Sequence, residues 1–405
     1  MEYTELKKEL RREVQKKMEL VREFSDKEVE EAIDEALLAH KDTMLYTVEA
    51  RRKLKRELFD SLRRLDVLQI FVDNKTVTEI MINGKDHIFI EQEGRLRELE
   101  VGFESAEKLQ DVIQQIVAGC NRVVNEASPI VDARLPDGSR VNIVMSPIAL
   151  NGPAVTIRRF PDKPITMEYL VQNNSICREA ADFLEKLVRA KYNIFISGGT
   201  GSGKTTFLNA LSKFIPSDER VVTIEDSAEL QLQELPNLVR LETRNSNVEG
   251  CREITIRELI RSSLRMRPDR IIVGEVRGPE AFDMLQCLNT GHDGSMSTGH
   301  ANSGMDMLAR LENMVLMGLE IPLPAVKQQI ASGLDILVHL GRLRDRTRRV
   351  LEITEVVGWE GDKIRLNPLY VFEEEEEDDN AKITGRLKKK GGLLCGIKLK
   401  AAGLS

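Results

Sequence analysis

The strongest constraint on the fold is a glycine-rich stretch near the middle of the chain. Residues 193–197 are mostly apolar, with the branched and aromatic side chains typical of a buried parallel strand. Residues 207–211 are mostly apolar and favour a helix. Between them, Gly198 to Thr205 match the pattern G-x-x-x-x-G-K-S/T in full. A strand, this loop and a helix in that order predict a phosphate-binding loop in an α/β domain.

The residue types in this loop have a direct physical meaning. Glycine allows the backbone to turn its N–H groups towards an anion, and the following helix points the positive end of its dipole the same way. Lys204 can reach the β- and γ-phosphates of a nucleotide, and the Thr205 hydroxyl can hold Mg²⁺. The predicted nucleotide-binding residues are Gly198, Gly199, Thr200, Gly201, Ser202, Gly203, Lys204, Thr205 and Thr206.

Composition and charge narrow the classes of function. The 405 residues suffice for two or three domains, and 41% of them are hydrophobic, so sizeable cores are expected. Only 4% are aromatic and the net charge is −7, which argues against a nucleic-acid-binding surface. The five cysteines include no C-x-x-C pair, so we expect no zinc site and a reducing cytoplasmic location. We see no signal peptide and no apolar run of the roughly 20 residues that cross a bilayer, so membrane contact is expected to be indirect.

Changes in pattern along the chain predict its domain organisation. The first part is dense in charge and helical in period, and the second mixes strands with one helix. Pro161 and Pro164 then interrupt strand pairing and stiffen the connection. The end of the chain is an acidic run followed by a basic run, which we interpret as a mobile tail or a tether. The predicted parts are a helical extension at 1–64, an α+β domain at 65–160, a linker at 161–167, an α/β domain at 168–372 and a charged tail at 373–405.

Carboxylates follow two predicted strands of the α/β domain. The strand at 220–224 leads into Glu225, Asp226 and Glu229. Because ligands of open α/β sheets bind outside the carboxyl ends of the strands, these acids are expected near the phosphate-binding loop. A catalytic role or a contact with metal through water is therefore predicted for this group.

The second of these strands, at 270–273, ends in Gly274 and Glu275. In most P-loop proteins this strand ends in an aspartate that holds Mg²⁺, followed by a glutamate. Gly274 stands where that aspartate would be. Glu275 alone is therefore predicted to orient or deprotonate the attacking water, and to hold Mg²⁺ through water together with Thr205.

Two histidines, His292 and His300, lie in a segment of small and polar residues. A metal site is the first interpretation, but the segment supplies no evident third ligand. A sensor of the γ-phosphate fits better, because an imidazole N–H can donate to the phosphate and report its loss.

Three arginines of the α+β domain, Arg140, Arg158 and Arg159, have two possible roles. They can be ordinary surface charges, or they can reach the nucleotide across a cleft between domains. The sequence by itself favours the surface role.

Four of these stretches together resemble the type II/type IV secretion ATPase superfamily. They are GGTGSGKTT, the acidic box TIEDSAELQL, the glutamate-only strand IIVGEVRGPE and the histidine box TGHDGSMSTGHANS. Within the superfamily the chain is most similar to the CpaF (TadA-like) branch, the motors of Flp or tight-adherence pilus assembly. The stretches TVTEIMING and DARLPDGSRVNI resemble the N-terminal domain of that branch. The resemblance covers about residues 65–372.

The resemblance implies a RecA-like core with a PAS-like N-terminal domain, closed into a homo-hexameric ring that hydrolyses ATP with Mg²⁺. Nucleotide would bind between the domains at the subunit boundary. The expected location is the cytoplasmic face of the inner membrane, with inner-membrane platform proteins of a pilus or secretion system as partners. By position, the resemblance implies roles at the γ-phosphate or in catalysis for Glu229, Glu275, His292, His300, Arg240 or Arg244, Arg140, and Arg158 or Arg159.

Other functions stay open on the sequence alone. A conjugation-type DNA-transfer ATPase and a pilus-retraction ATPase would share these motifs. A RecA-like nucleic-acid motor would need a basic channel with aromatic residues. A nucleotide-gated scaffold would bind ATP without hydrolysing it.

Overall fold

The chain forms two compact units, Met1–Asp162 and Lys163–Ser405. The computed structural model describes residues 3–18, 24–120, 122–159, 165–232, 234–244, 252–361, 363–377 and 383–404. The prolines of the predicted linker, Pro161 and Pro164, lie outside the described residues. Among the helices that are described, none is both long and apolar enough to cross a membrane.

The first unit begins with helices that pack on one another. Leu10 of the first helix, Ile33 of the second and Leu58 of the third are fully buried in one apolar cluster, because their apolar residues recur at helical spacing. Ser25 and Glu28 form a capping box at the start of the second helix. The helices of this unit are α1 (Tyr3–Met18), α2 (Asp26–Ala39), α3 (Val48–Arg63), α4 (Gln69–Val72) and α5 (Ala106–Ala118).

The rest of the first unit is a six-stranded antiparallel sheet covered by α5. Its strands are β1 (Val77–Asn83), β2 (His87–Gln92), β3 (Arg95–Glu98), β4 (Ile130–Arg134), β5 (Arg140–Val144) and β6 (Ala154–Arg158), in the order β3-β2-β1-β6-β5-β4. Ile80 and Ile82, which are two residues apart on β1, both face the core and pack with Ile113 of α5. Gly84, with φ +72°, makes the predicted turn between β1 and β2.

The second unit is a nine-stranded sheet with helices on both faces, which confirms the predicted α/β fold. Phe195 and Ile196, neighbours on one strand, belong to the two different apolar cores. The strands are β7 (Ile194–Gly198), β8 (Val221–Glu225), β9 (Leu238–Glu242), β10 (Arg270–Val273), β11 (Met296–His300), β12 (Ile336–Arg342), β13 (Arg348–Glu360), β14 (Lys363–Glu377) and β15 (Ile383–Lys389). The helices are α6 (Met167–Gln172), α7 (Arg178–Arg189), α8 (Lys204–Ser212), α9 (Ile256–Ser263), α10 (Glu280–Asn289), α11 (Gly304–Gly318), α12 (Leu323–Gly333) and α13 (Ile397–Ala401).

The strand order of the large sheet is β15-β14-β13-β12-β7-β11-β10-β8-β9. The strands from β12 to β9 are parallel, and β13, β14 and β15 extend the sheet antiparallel beyond β12. The carboxyl ends of β7, β8, β10 and β11 therefore lie side by side. We call this side of the sheet the carboxyl edge, and ligands of such sheets bind there.

The charged runs at the end of the chain are paired strands where they are described, so the prediction of a mobile tail is wrong for these residues. Glu373 on β14 faces Arg386 on β15. Lys388 and Lys390 both bind the Glu373 carboxylate, and these two hydrogen bonds lower its pKa to about 2. Opposite charges that face each other across a ladder stabilise strand pairing, which charge runs read along the chain alone do not reveal.

Candidate functional site

The predicted phosphate-binding loop joins β7 to α8 at the carboxyl edge of the large sheet. Gly201 and Gly203 have φ of +70° and +94°, a conformation that residues with a Cβ rarely adopt. The Ser202 hydroxyl donates to the Gly199 carbonyl at 2.9 Å and braces the loop from within. The glycines therefore stand where the backbone turn requires them.

Lys204, the first residue of α8, is a buried cation that donates to backbone carbonyls. It is 8% exposed, and its Nζ donates to the carbonyls of Gly198 at 3.1 Å and Gly199 at 3.0 Å. Within the described part of the chain it forms no salt bridge with an acid. Burial lowers its pKa, against the raising effect of Glu275 and Glu229 nearby. Because an unpaired buried charge is costly, this position fits an anionic group such as a phosphate.

Glu275 and His300 lie beside Lys204 because β10 and β11 end at the same edge. The Nε2 of His300 is 3.1 Å from Oε1 of Glu275, and its Nδ1 is 3.2 Å from Nζ of Lys204. An ammonium group only donates, so Nδ1 accepts and the imidazole proton sits on Nε2, where it binds Glu275. Burial, and then the charge of Lys204, lower the pKa of His300, which favours this neutral form. The three side chains form one hydrogen-bonded chain.

The acids that follow β8 separate into different environments. Glu229 is half-buried and near enough for its charge to act on Lys204. Glu225 is buried, and burial raises its pKa to about 7. Asp226 instead forms an ion pair with Arg277. Of these three acids, Glu229 is the one whose charge acts on Lys204.

His292 lies at the opposite edge of the sheet from the phosphate-binding loop. Met296, at the start of β11, pairs with Ile194, and His300, at its end, pairs with Gly198. The strand between them spans about 13 Å, and His292 precedes its start. The structure therefore corrects the predicted pair of sensors, because it brings only His300 to the loop.

Two predicted arginines lie near the acids of β8. Arg240 on β9 pairs with Thr223 on β8, and its charge opposes the burial that raises the pKa of Glu225. The guanidinium group of Arg244 donates to the backbone carbonyl of Arg252. Arg240 is therefore the better placed of the two to act on this edge.

Arg140, Arg158 and Arg159 belong to the first unit. Arg140 on β5 pairs with Arg158 on β6, and Arg158 forms a salt bridge with Glu79. Arg159 donates to the Asn74 carbonyl. Arg158 and Arg159 therefore make contacts within their own unit, in line with the surface role that the sequence favours.

Arg348 and Arg342 at the loop were not predicted as site residues. The hairpin of β12 and β13 runs past the end of β7, and Nε of Arg348 donates to the Gly201 carbonyl at 2.8 Å. Arg342, directly opposite Arg348, has its Nη1 4.0 Å from the place where a Cβ on Gly201 would be. The run of arginines at 342–349 was visible in the sequence, but its place beside the loop depends on the register of β12 with β7.

A cavity of about 470 Å³ borders the loop, within the usual range for small-molecule sites. It is lined by Gly199, Thr200, His300, Ala301, Asn302, Asp306, Ala309, Arg310 and Asn313. The last four lie along one face of α11, so this helix forms a polar wall opposite the loop.

Comparison with known proteins gives matches over most of the chain. A family model described as "Type II/IV secretion system protein" matches residues 62–368. A putative conjugal transfer protein of Mycobacterium tuberculosis is 34% identical over 312 residues, covering 76% of this chain and 88% of the relative. The conjugal transfer protein TrbB of Rhizobium radiobacter is 32% identical over 326 residues, covering 80% of this chain and 96% of the relative.

Solved structures support the fold. The ATPase DotB of Legionella pneumophila has a TM-score of 0.52 at 21% identity, over 71% of this chain and 79% of that chain. At this identity the likeness concerns the fold alone. The family model and the two conjugal transfer relatives establish the rest: this chain belongs to the type II/IV secretion system protein family.

Proposed function

We propose that the protein is an ATPase that hydrolyses ATP with Mg²⁺ at the edge where Lys204, His300 and Glu275 meet. The observation that carries this proposal is the environment of Lys204. Its ammonium group is buried and, among the residues that the structure describes, is bound only to backbone carbonyls and His300. It lies next to the glycines of the loop that have a positive φ. A triphosphate would supply anionic oxygens bonded directly to this ammonium group, a contact that no acid among the described residues makes.

Thr205 and Glu275 are the residues that would hold Mg²⁺, Thr205 through its hydroxyl and Glu275 through water. The donor set fits the ion, because Mg²⁺ prefers oxygen ligands and usually keeps several of its waters. Mg²⁺, when bound, neutralises charge on the phosphate oxygens. Glu229 is the second carboxylate that lies towards this position.

Glu275 is the proposed general base. It takes the proton from a water whose oxygen attacks the γ-phosphorus, while the bond from that phosphorus to the bridging oxygen breaks and ADP leaves. His300 holds the Glu275 carboxylate through its Nε2–H. Lys204 donates to the phosphate oxygens and stabilises the charge that develops on them.

Glu275→Gln tests this assignment. The variant keeps the shape of the side chain and loses the base, so we expect ATP to bind normally while phosphate release falls roughly 100- to 10,000-fold. Glu360→Gln, the same change at an exposed position on β13, is the matched control and should leave both measurements unchanged. Near-normal turnover by a folded Glu275→Gln protein would move the base elsewhere, to Glu229 first.

The arginines that complete the site are a separate part of the proposal. Arg159 and Arg244 already bind backbone carbonyls. Arg158 likewise has a partner in Glu79. On the basis of the resemblance we propose Arg140, Arg158 and Arg240 as the candidates for contact with the γ-phosphate. Arg240 is the best supported, because its charge acts on Glu225 at the same edge. Alanine variants of these three residues should lower turnover, whereas Arg159→Ala should mainly lower the melting temperature.

The proposed biological role follows the resemblance to the CpaF branch. The motor would be a homo-hexamer at the cytoplasmic face of the inner membrane, where it works with platform proteins in pilus assembly or protein secretion. The four signature stretches and the glycine at position 274 support this branch. The predicted helical extension, α+β domain, linker and ATPase domain are part of the same proposal.

Conjugation-type DNA transfer is the second candidate, because two relatives are named as conjugal transfer proteins. Addition of single- and double-stranded DNA to the ATPase assay, with a gel shift at low salt, separates the two roles. Binding of DNA in the gel shift, together with stimulation of ATP hydrolysis by DNA, would favour the DNA-transfer role. Stimulation by inner-membrane platform proteins without DNA would favour assembly.

A further inference from the structure

Glu225 is a buried glutamate at the end of β8 that the proposed reaction does not use. It is 3% exposed. Its Oε2 accepts the backbone N–H of Glu229 at 2.6 Å and that of Leu230 at 2.8 Å. One carboxylate oxygen therefore holds the chain at the point where Glu229 projects from it.

A second contact ties the same segment to the helix of the phosphate-binding loop. The N–H of Gln231 donates to the side-chain oxygen of Asn209 on α8 at 2.9 Å, and Leu230 is 1% exposed in the core. Because α8 begins at Lys204, the loop that carries Glu229 is fixed relative to the helix that carries the lysine.

Gly274 on the neighbouring strand makes room for Glu225. Its N–H donates to the Ile224 carbonyl at 2.8 Å, which places it beside Glu225. A Cβ on Gly274 would lie 2.9 Å from Cγ of Glu225, closer than side chains pack. The Glu225 side chain therefore occupies space that an aspartate at position 274 would need. The glycine at this position and the buried glutamate on the next strand belong to one packing arrangement.

The two oxygens of Glu225 differ in their surroundings. Oε1 is buried and has no hydrogen-bond partner among the described residues, whereas Oε2 has two. Burial raises the pKa of this carboxyl group to about 7, although the two N–H bonds act in the other direction. What the two N–H groups require is an oxygen acceptor, which a neutral side chain can supply as well as a charged one.

We propose that Glu225 is a positioning residue of the hydrolysis site, which holds the loop of Glu229 in place through Oε2 while Gly274 leaves room for it. This inference rests on the proposed ATP hydrolysis, because Glu225 would act on the reaction through Glu229.

Steady-state ATP hydrolysis by the full chain tests the proposal. Glu225→Gln keeps the oxygen acceptor, so kcat should stay close to that of the wild type. Glu225→Ala removes the acceptor, and kcat should fall roughly 10- to 100-fold as Glu229 loses its position. KM should change little, because Lys204 and its loop are untouched. Gly274→Ala crowds Glu225 without removing it and should also lower kcat.

A double-mutant cycle separates positioning from a general loss of structure. Glu229→Gln lowers kcat by itself, and Glu225→Ala should cost little more in that background, since the residue it positions is already disabled. Glu242→Gln, at the position on β9 that pairs with Glu225, is the matched control and should leave kcat unchanged. Additive losses in the cycle, or equal losses for Glu225→Gln and Glu225→Ala, would overturn the proposal.

The outcomes also distinguish this inference from the proposed function. If the wild-type chain releases no phosphate from ATP, the proposed function fails first. If the wild type hydrolyses ATP and the cycle is additive, only the role of Glu225 fails. Should Glu225→Ala not fold, Gly274→Ala, alone and in the Glu229→Gln background, carries the same comparison.

Discussion

Buried cations have opposite surroundings at the two ends of the parallel strands, that is, at the carboxyl edge of the nine-stranded sheet and at the edge where the strands begin. At the edge where β10 begins, Arg270 is 0% exposed and donates through Nε and Nη2 to both oxygens of Glu219. Its Nη1 donates to two backbone carbonyls. At the edge where β7 ends, Lys204 is also buried but is bound to backbone carbonyls and His300, with no acid bonded to it among the described residues.

Under the proposed function, this difference separates a charge that stabilises the fold from a charge that binds a ligand. Desolvation of a buried cation is offset only by close partners, and the fold supplies them to Arg270 in full. At Lys204 the charges of Glu275 and Glu229 act on the ammonium group, but no acid among the described residues is bonded to it. The same edge also gathers Glu275, His300 and the glycine loop.

The largest effect expected from this comparison is on hydrolysis by Lys204→Ala. Without the cation, the phosphate charge is not neutralised, and turnover should fall at least about 100-fold. The melting temperature should not fall, because removal of the lysine does not leave a bonded carboxylate buried without its partner. Lys213→Ala, at the other end of the same helix, is the control and should hydrolyse ATP normally. Wild-type turnover by a pure, folded Lys204→Ala protein would break the comparison.

The next effect is on stability, at the other edge. Glu219→Ala leaves the Arg270 guanidinium buried without its acid, which should lower the free energy of unfolding by about 3–5 kcal/mol. Denaturant titration measures this change. Glu234→Ala removes the exposed partner of Lys213 and should have a much smaller effect. Equal losses for the two variants would show that Arg270 does not depend on its partner.

The smallest effect is a pH dependence at His339, which lies on β12 with its Nδ1 2.9 Å from the Ser197 hydroxyl. Burial lowers its pKa below the ordinary 6.5. The unfolded chain then binds the proton more readily, so this contribution to stability is present above about pH 6.5 and is lost as pH falls towards the folded pKa. His339→Gln should flatten the fall of melting temperature on acidification, whereas the exposed control His87→Gln should not. Identical pH slopes for wild type and His339→Gln would exclude this group.

The sequence predicted the parts of the site that depend on neighbours along the chain. The strand, the glycines and Lys204 follow one another directly, so their pattern was sufficient. Glu275 could be assigned to the same edge because an acid directly after a buried parallel strand must lie at its carboxyl end. His300 ends its strand in the same way, whereas the spacing between the two histidines did not show that His292 precedes that strand.

Features that depend on register between distant strands were not predicted. The contact of Arg348 with Gly201 and the packing of Glu225 against Gly274 each join residues far apart in the chain. The charged tail was misread for the same reason, since Glu373 and Lys388 become partners only when β14 and β15 pair. Pairing between strands that are distant in the chain determines such contacts, and the pattern of neighbouring residues does not reveal that pairing.

The contact of Arg348 with the loop also has a mechanical consequence. Arg348 begins β13, which continues for 13 residues to Glu360. At the usual rise of a strand, β13 is about 40 Å long, and the contact of Arg348 with Gly201 ties one of its ends to the loop. A tilt of the strand by about 5° at that end would displace the other end by about 3.5 Å. Under the proposed function, a change of loop shape on loss of one phosphate would therefore reach the far end of β13, beside the start of β14.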